Sequence, residues 1–443
     1  MVELLAVICT IFSALAFVYL LKYRNKNKQD SPHKLPPGSM GWPFSGETLG
    51  FLKPHRSNSL GSFLQERCSR YGKVFKSHLF GSPTIVSCDF EFNMYILQNE
   101  GTLFPVDYPK VMHNILGKFS LLLVKGDLHR KLRSTIISFV SATKHESNFL
   151  HCVEMLALSR INSWIPISKQ VAFYEEAKRF TINVMMKHLL NINPDDPLAC
   201  KILGNFENYI KGFISLPIRI PGTAYFKALQ ARIRLSAIIK DIIIERRKCN
   251  NVRPMQGGDL LNVILSKKNL SDEEMVSIVL DLLFGGYETT AKLLSLIVYF
   301  LGGASNALES LKVIYEAMRC GNVVKFLHRK AIQDVKFKDY VIPAGWKVLP
   351  VLSSGHLDPT LFENPLEFNP FRWNDNSTSK KVAPFGGGPR FCPGADLAKV
   401  ETAFFLHHLV LNYRWKIRTD DPPLAFPYVE FTRGLLLNLE PTA

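Results

Sequence analysis

The sequence predicts a mainly α-helical protein with small β-sheets, set behind an N-terminal membrane-spanning helix. Three observations carry that reading. Apolar positions recur at helical spacing over residues 91–299, strand-forming runs are short, and an uninterrupted apolar run opens the chain. Across 443 residues, 47% hydrophobic and 21% charged side chains exclude collagen-like, low-complexity and wholly disordered chains. The 54 basic and 38 acidic residues leave a net charge of +16. Such a balance points to an anionic partner: nucleic acid, a membrane surface or an acidic protein face. The 8 cysteines include no C-x-x-C pair and no zinc-finger spacing, so a reducing compartment without a disulfide framework is expected.

Residues 4–21 form an 18-residue run whose most polar members are Thr10 and Ser13. As a helix it reaches ~27 Å, close to a hydrocarbon core. Lys22, Arg24, Lys26 and Lys28 follow at once, which places the rest of the chain on the cytoplasmic side. Residues 1–21 are therefore read as an anchor, 22–43 as a basic linker with a proline-rich hinge, and 44–443 as one body. A cleaved signal peptide is the rival, because Ala14-Leu15-Ala16 has the small-x-small form. Against it, Glu3 stands where a basic residue would be, and the run continues past Ala16. Leu35-Pro36-Pro37-Gly38 and Trp42-Pro43 resist helix and read as a stiff hinge, or simply as the start of the body. Strand chemistry from Arg70 to Val86, split by Gly81-Ser82, reads as a hairpin. Helical periods follow, broken by proline loops at residues 193–197, 216–217 and 220–221. Short strands return at 335–342 and in the last twenty residues.

One helix is unusually informative. Ser271-Asp272-Glu273-Glu274 has capping-box chemistry and opens an apolar pattern through Met275, Ile278, Val279, Leu282, Leu283, Leu293 and Ile297. A helix over 272–301 would span ~45 Å. Phe284-Gly285-Gly286-Tyr287-Glu288-Thr289-Thr290 lies in its middle. Each internal glycine costs about 1 kcal/mol against alanine, so the pair implies either a close-packed flat ligand or a tight helix crossing. A glutamate beside two threonines on an apolar helix implies a partnered charge or proton handling.

Phe385-Gly386-Gly387-Gly388-Pro389-Arg390-Phe391-Cys392-Pro393-Gly394 is the sharpest signal. Glycines and prolines make a tight loop whose backbone can approach a ligand and donate N–H groups to a thiolate. Arg390 adds a cation. A helix-forming run from Ala395 puts Cys392 near a helix N-terminus, where the dipole favours the thiolate. One soft ligand cannot build a zinc site of about four ligands. It can supply the axial ligand of haem, whose porphyrin provides the others. Inert packing is the usual fate of a buried cysteine, but it leaves the Phe-x-x-Gly-x-Arg-x-Cys-x-Gly spacing unexplained.

On these residues the chain resembles the cytochrome P-450 haem-thiolate monooxygenases over nearly its whole length. Residues 385–394 fit that family's cysteine loop, and Gly285 to Thr290 its oxygen-activating segment. Glu316-Ala317-Met318-Arg319 fits the Glu-x-x-Arg helix. Phe368-Asn369-Pro370-Phe371-Arg372-Trp373 fits the segment whose arginine completes a Glu–Arg–Arg network. His129-Arg130-Lys131-Leu132-Arg133 fits the segment facing haem propionates. Within the family it resembles plant steroid hydroxylases of brassinosteroid biosynthesis, which act at C-22 or C-23 of the side chain. Residues 35–43, Gly126-Asp127-Leu128-His129-Arg130, Asn322-Val323-Val324, His328-Arg329-Lys330-Ala331 and Trp346-Lys347-Val348-Leu349-Pro350 carry that likeness. Asn322 stands where most of the wider family has proline.

The resemblance implies haem b, with Cys392 as the axial iron ligand and Phe385 and Gly386 in its cradle. It implies Arg133, His129 and Arg390 toward the propionates, and Thr289 and Glu288 as the alcohol–acid pair that delivers protons. Glu316, Arg319 and Arg372 become a structural ion network. It further implies a monooxygenase domain over 44–443 on the cytosolic face of the endoplasmic reticulum membrane. The implied partners are a steroid substrate and NADPH-cytochrome P-450 reductase as electron donor, with no nucleic acid. Met112, Ile115, Leu116, Phe119, Leu283, Phe284, Val323, Val324 and Phe326 are pocket-wall candidates, for each of which core packing is the stronger explanation.

The chain departs from the family's pattern in one place. Thr290 and Glu316 lie only 26 residues apart, far closer than is usual there, so an internal deletion near Lys312 is expected. Loss of packed helices should expose apolar surface and loosen Glu316 and Arg319. Two rival functions stay open. One is a haem-thiolate isomerase or dehydratase that needs no dioxygen, against which Glu288 and Thr289 argue. The other is a catalytically impaired shortened form that only binds haem or sterol.

Overall fold

The computed structural model describes residues 34–42, 45–164, 170–248, 258–267, 269–302, 312–418, 421–426 and 428–442. At the start of that range, the Lys76 N–H donates to the Pro37 carbonyl at 2.9 Å. A Cβ on Gly38 would strike the Lys76 carbonyl. The Pro-Pro-Gly segment is therefore docked on the body, not free as a hinge. Next come α1 (Thr48–Phe51), β1 (His55–Arg56) and α2 (Ser62–Tyr71). Arg70 and Tyr71 close α2 instead of opening the hairpin, because the helix runs on until Gly72, at φ 89°, stops it. The hairpin itself is β2 (Val74–Leu79) and β3 (Ser82–Ser87), turned through Phe80 and Gly81, both at positive φ.

The helical middle comprises α3 (Phe90–Gln98), α4 (Lys110–Leu116), α5 (Gly126–Thr143) and α6 (Ser147–Asn162). After β4 (Gln170–Ala172) come α7 (Phe173–Leu190), α8 (Pro197–Lys211), α9 (Ala224–Lys248) and α10 (Leu260–Ser266). Next is α11 (Asp272–Gly302), whose capping box forms as the sequence predicts. The Ser271 N–H donates to Glu274 Oε2 at 2.8 Å, and the Glu274 N–H to Ser271 Oγ at 3.3 Å. Residues 290–298 of α11 are buried without interruption, so this stretch is enclosed by protein on every side. Its two glycines divide the explanations between them. A Cβ on Gly286 would lie 2.2 Å from the Met185 sulfur of α7, whereas one on Gly285 meets nothing within 4 Å. Gly286 serves a helix crossing; Gly285 faces open space.

The remaining elements are α12 (Lys312–Gly321), β5 (Arg329–Lys330), β6 (Val335–Phe337), β7 (Tyr340–Ile342), β8 (Lys347–Pro350) and α13 (Leu352–His356), then α14 (Ala395–Asn412). Four strands close the chain: β9 (Tyr413–Ile417), β10 (Leu424–Ala425), β11 (Val429–Glu430) and β12 (Leu436–Pro441). The sheets are small: β2-β3-β8-β5, β4-β12-β9, β1-β10-β11 and the pair β6-β7. The main core joins α7 to α14, where Phe405 packs 4.8 Å from Phe180 and 5.9 Å from Phe173, ring centre to ring centre. A second cluster seats Val313, Ile314, Ala317 and Met318 of α12 on Leu293, Ile297 and Leu301 of α11.

Among the described residues no helix is long and apolar enough to cross a membrane. The expected anchor, residues 1–21, lies outside them, as do most of the 22–43 linker and residues 303–311, which precede the expected deletion near Lys312.

Candidate haem-thiolate site

Cys392 follows a 3₁₀ turn (Gly388–Arg390) and stands three residues before α14. Its N–H donates to the Phe385 carbonyl at 3.0 Å and closes the loop. Its sulfur accepts the Gly394 N–H, as the loop chemistry leads one to expect. Gly386 and Gly388 bend the chain at φ 72° and 64°. At Gly388 a Cβ would also lie 2.1 Å from the Leu97 carbonyl of α3, so both strain and space demand glycine. The thiol's pKa is raised above its ordinary value, chiefly by burial, with the Gly394 N–H and the Arg133 guanidinium pulling the other way. Burial thus outweighs the electrostatics that favour a thiolate, and metal ligation is what would displace the proton.

Nitrogen donors gather beside this loop. Arg133 and His129 sit one turn apart on α5, and Arg133 Nη2 donates to the Phe391 carbonyl at 2.5 Å. His129 is buried and its pKa is pushed down to about 4, by burial first and then by Arg390, with Arg133 adding to it. It is neutral at pH 7 and offers one N–H to an acceptor. Arg390 is committed within the protein. Its Nε donates to Glu100 at 2.7 Å, Nη1 to the Leu121 carbonyl at 2.9 Å and Nη2 to the Val124 carbonyl at 2.5 Å. It pins the loop before α5 against the cysteine loop, and that fastening is the role its geometry displays.

The sequence reading gave no role to Arg329. It is 2% exposed, donates Nη1 to the His328 carbonyl at 2.9 Å, and leaves its Nε without a partner. A buried guanidinium with an orphaned N–H demands an acceptor. Its sequence signal is a cation inside a strand segment running from Phe326 to Ala331.

On α11, Gly285 and Thr289 share the open face one turn apart. Thr289 Oγ1 donates to the Gly285 carbonyl, a bond within the helix. Glu288 turns elsewhere. Its carboxylate takes Lys292 Nζ at 3.0 Å and the Tyr174 hydroxyl at 3.4 Å. The alcohol and the acid are neighbours in sequence with different partners in space.

The structural network is complete. Glu316 accepts from Arg319 Nε and Nη2 at 2.9 and 2.7 Å, Arg372 Nε at 2.9 Å, Trp373 Nε1 at 2.9 Å and the Asn369 N–H at 3.0 Å. Glu316 and Arg319 are wholly buried, so the expected loosening of this helix does not occur. Asn322 explains its own departure from proline: it adopts φ 51°, which proline cannot reach. Its side chain also bonds the Cys320 carbonyl at 3.0 Å and His356 Nδ1 at 2.7 Å.

The pocket-wall candidates divide. Met112, Phe119, Phe284, Val323 and Val324 are half-exposed. Ile115, Leu116 and Leu283 are buried in the core, and Phe326 packs 5.1 Å from Phe51, ring centre to ring centre.

A family model, "Cytochrome P450", matches residues 36–311 and 310–438. The chain belongs to the cytochrome P-450 family. It is 52% identical to "Cytochrome P450 724B1" of Oryza sativa subsp. japonica, covering 92% of each chain. It is 41% identical to "Cholesterol 22-monohydroxylase CYP90B52" of Paris polyphylla, covering 96% of each. It is 39% identical to "Steroid (22S)-hydroxylase" of Brachypodium distachyon, over 94% of this chain and 89% of the relative. Among solved structures, "Retinoic acid bound cyanobacterial CYP120A1" superposes with a TM-score of 0.82 at 27% identity, covering 93% of this chain and all of that one. As a P-450 the chain is a haem-thiolate monooxygenase. Its residues fit that cofactor: one half-buried sulfur in a glycine-built loop, open space at Gly285, and an orphaned buried Arg329 Nε suited to a carboxylate.

Proposed function

We propose that this P-450 hydroxylates the side chain of a steroid at C-22. The likeness to relatives named as cholesterol and steroid 22-hydroxylases, at 37–41% identity over most of both chains, carries the reading. The half-exposed apolar residues Met112, Phe119, Phe284, Val323 and Val324 suit a sterol-sized ligand. Cys392 would ligate the haem iron within the cradle that includes Phe385 and Gly386. Arg133, His129 and Arg329 would hold the haem carboxylates, with Arg390 stiffening the loop that carries Cys392. The haem, when bound, supplies the oxygen-activating chemistry. Thr289 would hold a proton at its Oγ1 on the open face of α11, and Glu288 would resupply it.

Residues 1–21 would anchor the chain in the endoplasmic reticulum membrane, with the basic stretch before the docked Pro36-Pro37-Gly38 segment as linker and the rest as a cytosolic catalytic domain. NADPH-cytochrome P-450 reductase would supply electrons to the basic surface. The two stretches matched by the family model meet at residues 310–311, which supports an internal deletion there. The intact Glu316 network supports a folded catalytic domain despite it. No observation favours the isomerase or dehydratase reading.

The test is turnover in microsomal membranes with reductase, NADPH and cholesterol. A product carrying one added oxygen at C-22, dependent on NADPH, is expected. An NADPH-independent product of unchanged oxygen content would overturn the hydroxylase reading.

A further inference from the structure

Glu288 does not end the polar path on its side of α11. Lys292, one turn further on, is 5% exposed within the continuously buried stretch of α11. A buried lysine is costly unless carboxylates hold it. Two do: its Nζ lies 3.0 Å from Glu288 Oε1 and 2.9 Å from Glu430 Oε1. One carboxylate would balance the charge. The second belongs to β11, and its side chain is 33% exposed. Half-buried acid, buried ammonium and more exposed acid therefore form an unbroken line of ion pairs from α11 to β11. From α7, Tyr174 donates to Glu288 at 3.4 Å, with Lys178 4.7 Å from its ring centre. Burial first, then Glu288 and Glu430, holds the Tyr174 hydroxyl protonated. The other charged groups nearby are Glu175 of α7 and Glu207 of α8, which reach the site through Tyr287.

We propose that Lys292 and Glu430 form the proton-entry route to Glu288. This rests on the reading that Glu288 handles protons. In each passage Lys292 gives one proton to the Glu288 carboxylate, an N–H bond breaking as an O–H bond forms. The amine is reprotonated by Glu430, whose carboxylate first takes a proton from solvent hydronium and returns to carboxylate as it passes that proton on, an O–H bond breaking as the N–H bond re-forms. One proton moves inward, and every charge on the route but that of Glu288 returns to its starting value. Lys292 acts through Glu288 and is a positioning and relay residue, not a group that touches substrate.

The test uses the full chain in microsomal membranes, comparing Lys292→Met, Lys292→Arg and Glu430→Gln. With Lys292→Met, product formed per NADPH should fall between about 10- and 100-fold, at or below the low end of the range for general acid–base groups, because Lys292 acts through Glu288. The solvent deuterium isotope effect on that ratio should rise. Glu430→Gln, near the surface and benign for folding, should move both readouts the same way by less, and Lys292→Arg should restore most of the loss. Apart from turnover, Lys292→Met should shift the infrared carboxylate band that Glu288→Gln removes. Lower melting temperatures with unchanged coupling, isotope effect and infrared band would reduce the ion pairs to structural ones and overturn the route. If the unaltered chain forms no hydroxylated product, the functional reading fails separately, and the infrared shift still decides whether Lys292 governs the Glu288 carboxylate.

Discussion

Replacing Glu316 with alanine removes the acceptor shared by five donors in a fully buried network. Breaking a buried ion pair from one side costs about 3–5 kcal/mol, because the abandoned charge stays buried. Arg319 keeps the carbonyls of His356 and Pro365 at 2.7 Å and Glu367 at 3.1 Å, which argues for the lower half of that range. Unfolding entropy near 2.1 cal/mol/K per residue gives roughly 0.85 kcal/mol/K for about 400 residues, so Tm should fall by about 4–5 °C. Burial pushes the Glu316 carboxyl up, but hydrogen bonds and charge from Arg319, with the Asn369 N–H and Trp373, hold it below the ordinary glutamate value. The contribution is therefore fully present above the ordinary glutamate range and is lost as pH falls through the depressed folded value. Thermal unfolding followed by circular dichroism, at neutral pH and in acid, measures both. A Tm change under about 1 °C at neutral pH would show that the network holds nothing together.

Three further outcomes follow from particular contacts. Arg329→Met should lower haem retained per protein after gel filtration, since the buried Nε–H that lacks a partner within the protein is removed; unchanged retention would remove Arg329 from the cofactor's holders. Gly388→Ala must strain a positive φ and drive a Cβ into the Leu97 carbonyl, so chemical denaturation should show a loss of at least about 1–2 kcal/mol, and full stability would contradict the loop geometry. Thr289→Val should keep haem content while product per NADPH falls roughly 10²-fold; unchanged coupling would leave Thr289 as a helix residue bonded to Gly285.

Local chemistry made much of this legible beforehand. The Ser271 capping box marks the start of α11, and the Gly81 turn marks the β2–β3 hairpin, because both depend on residues adjacent in sequence. The cysteine loop is legible for the same reason. Arg70 and Tyr71 misled because aromatic and long side chains suit either element, and only Gly72 decides where the helix stops. Arg390 misled differently. Its acceptors on Glu100, Leu121 and Val124 lie more than 260 residues away in sequence, where no spacing rule reaches. Arg329 was overlooked because its orphaned Nε is a property of packing, and the partners of Glu288 went unseen because Tyr174 and the bridge through Lys292 to Glu430 come from distant elements.

The most direct measurement is the reduced carbon monoxide difference spectrum of the natural chain beside Cys392→Ser, both supplied with haem during expression. A thiolate-type Soret band in the natural chain, lost in the serine variant, is the expected result, since a hydroxyl is a poor soft ligand for iron. An identical band in both would contradict Cys392 as the axial ligand, and no thiolate band in the natural chain would contradict a functional haem-thiolate site.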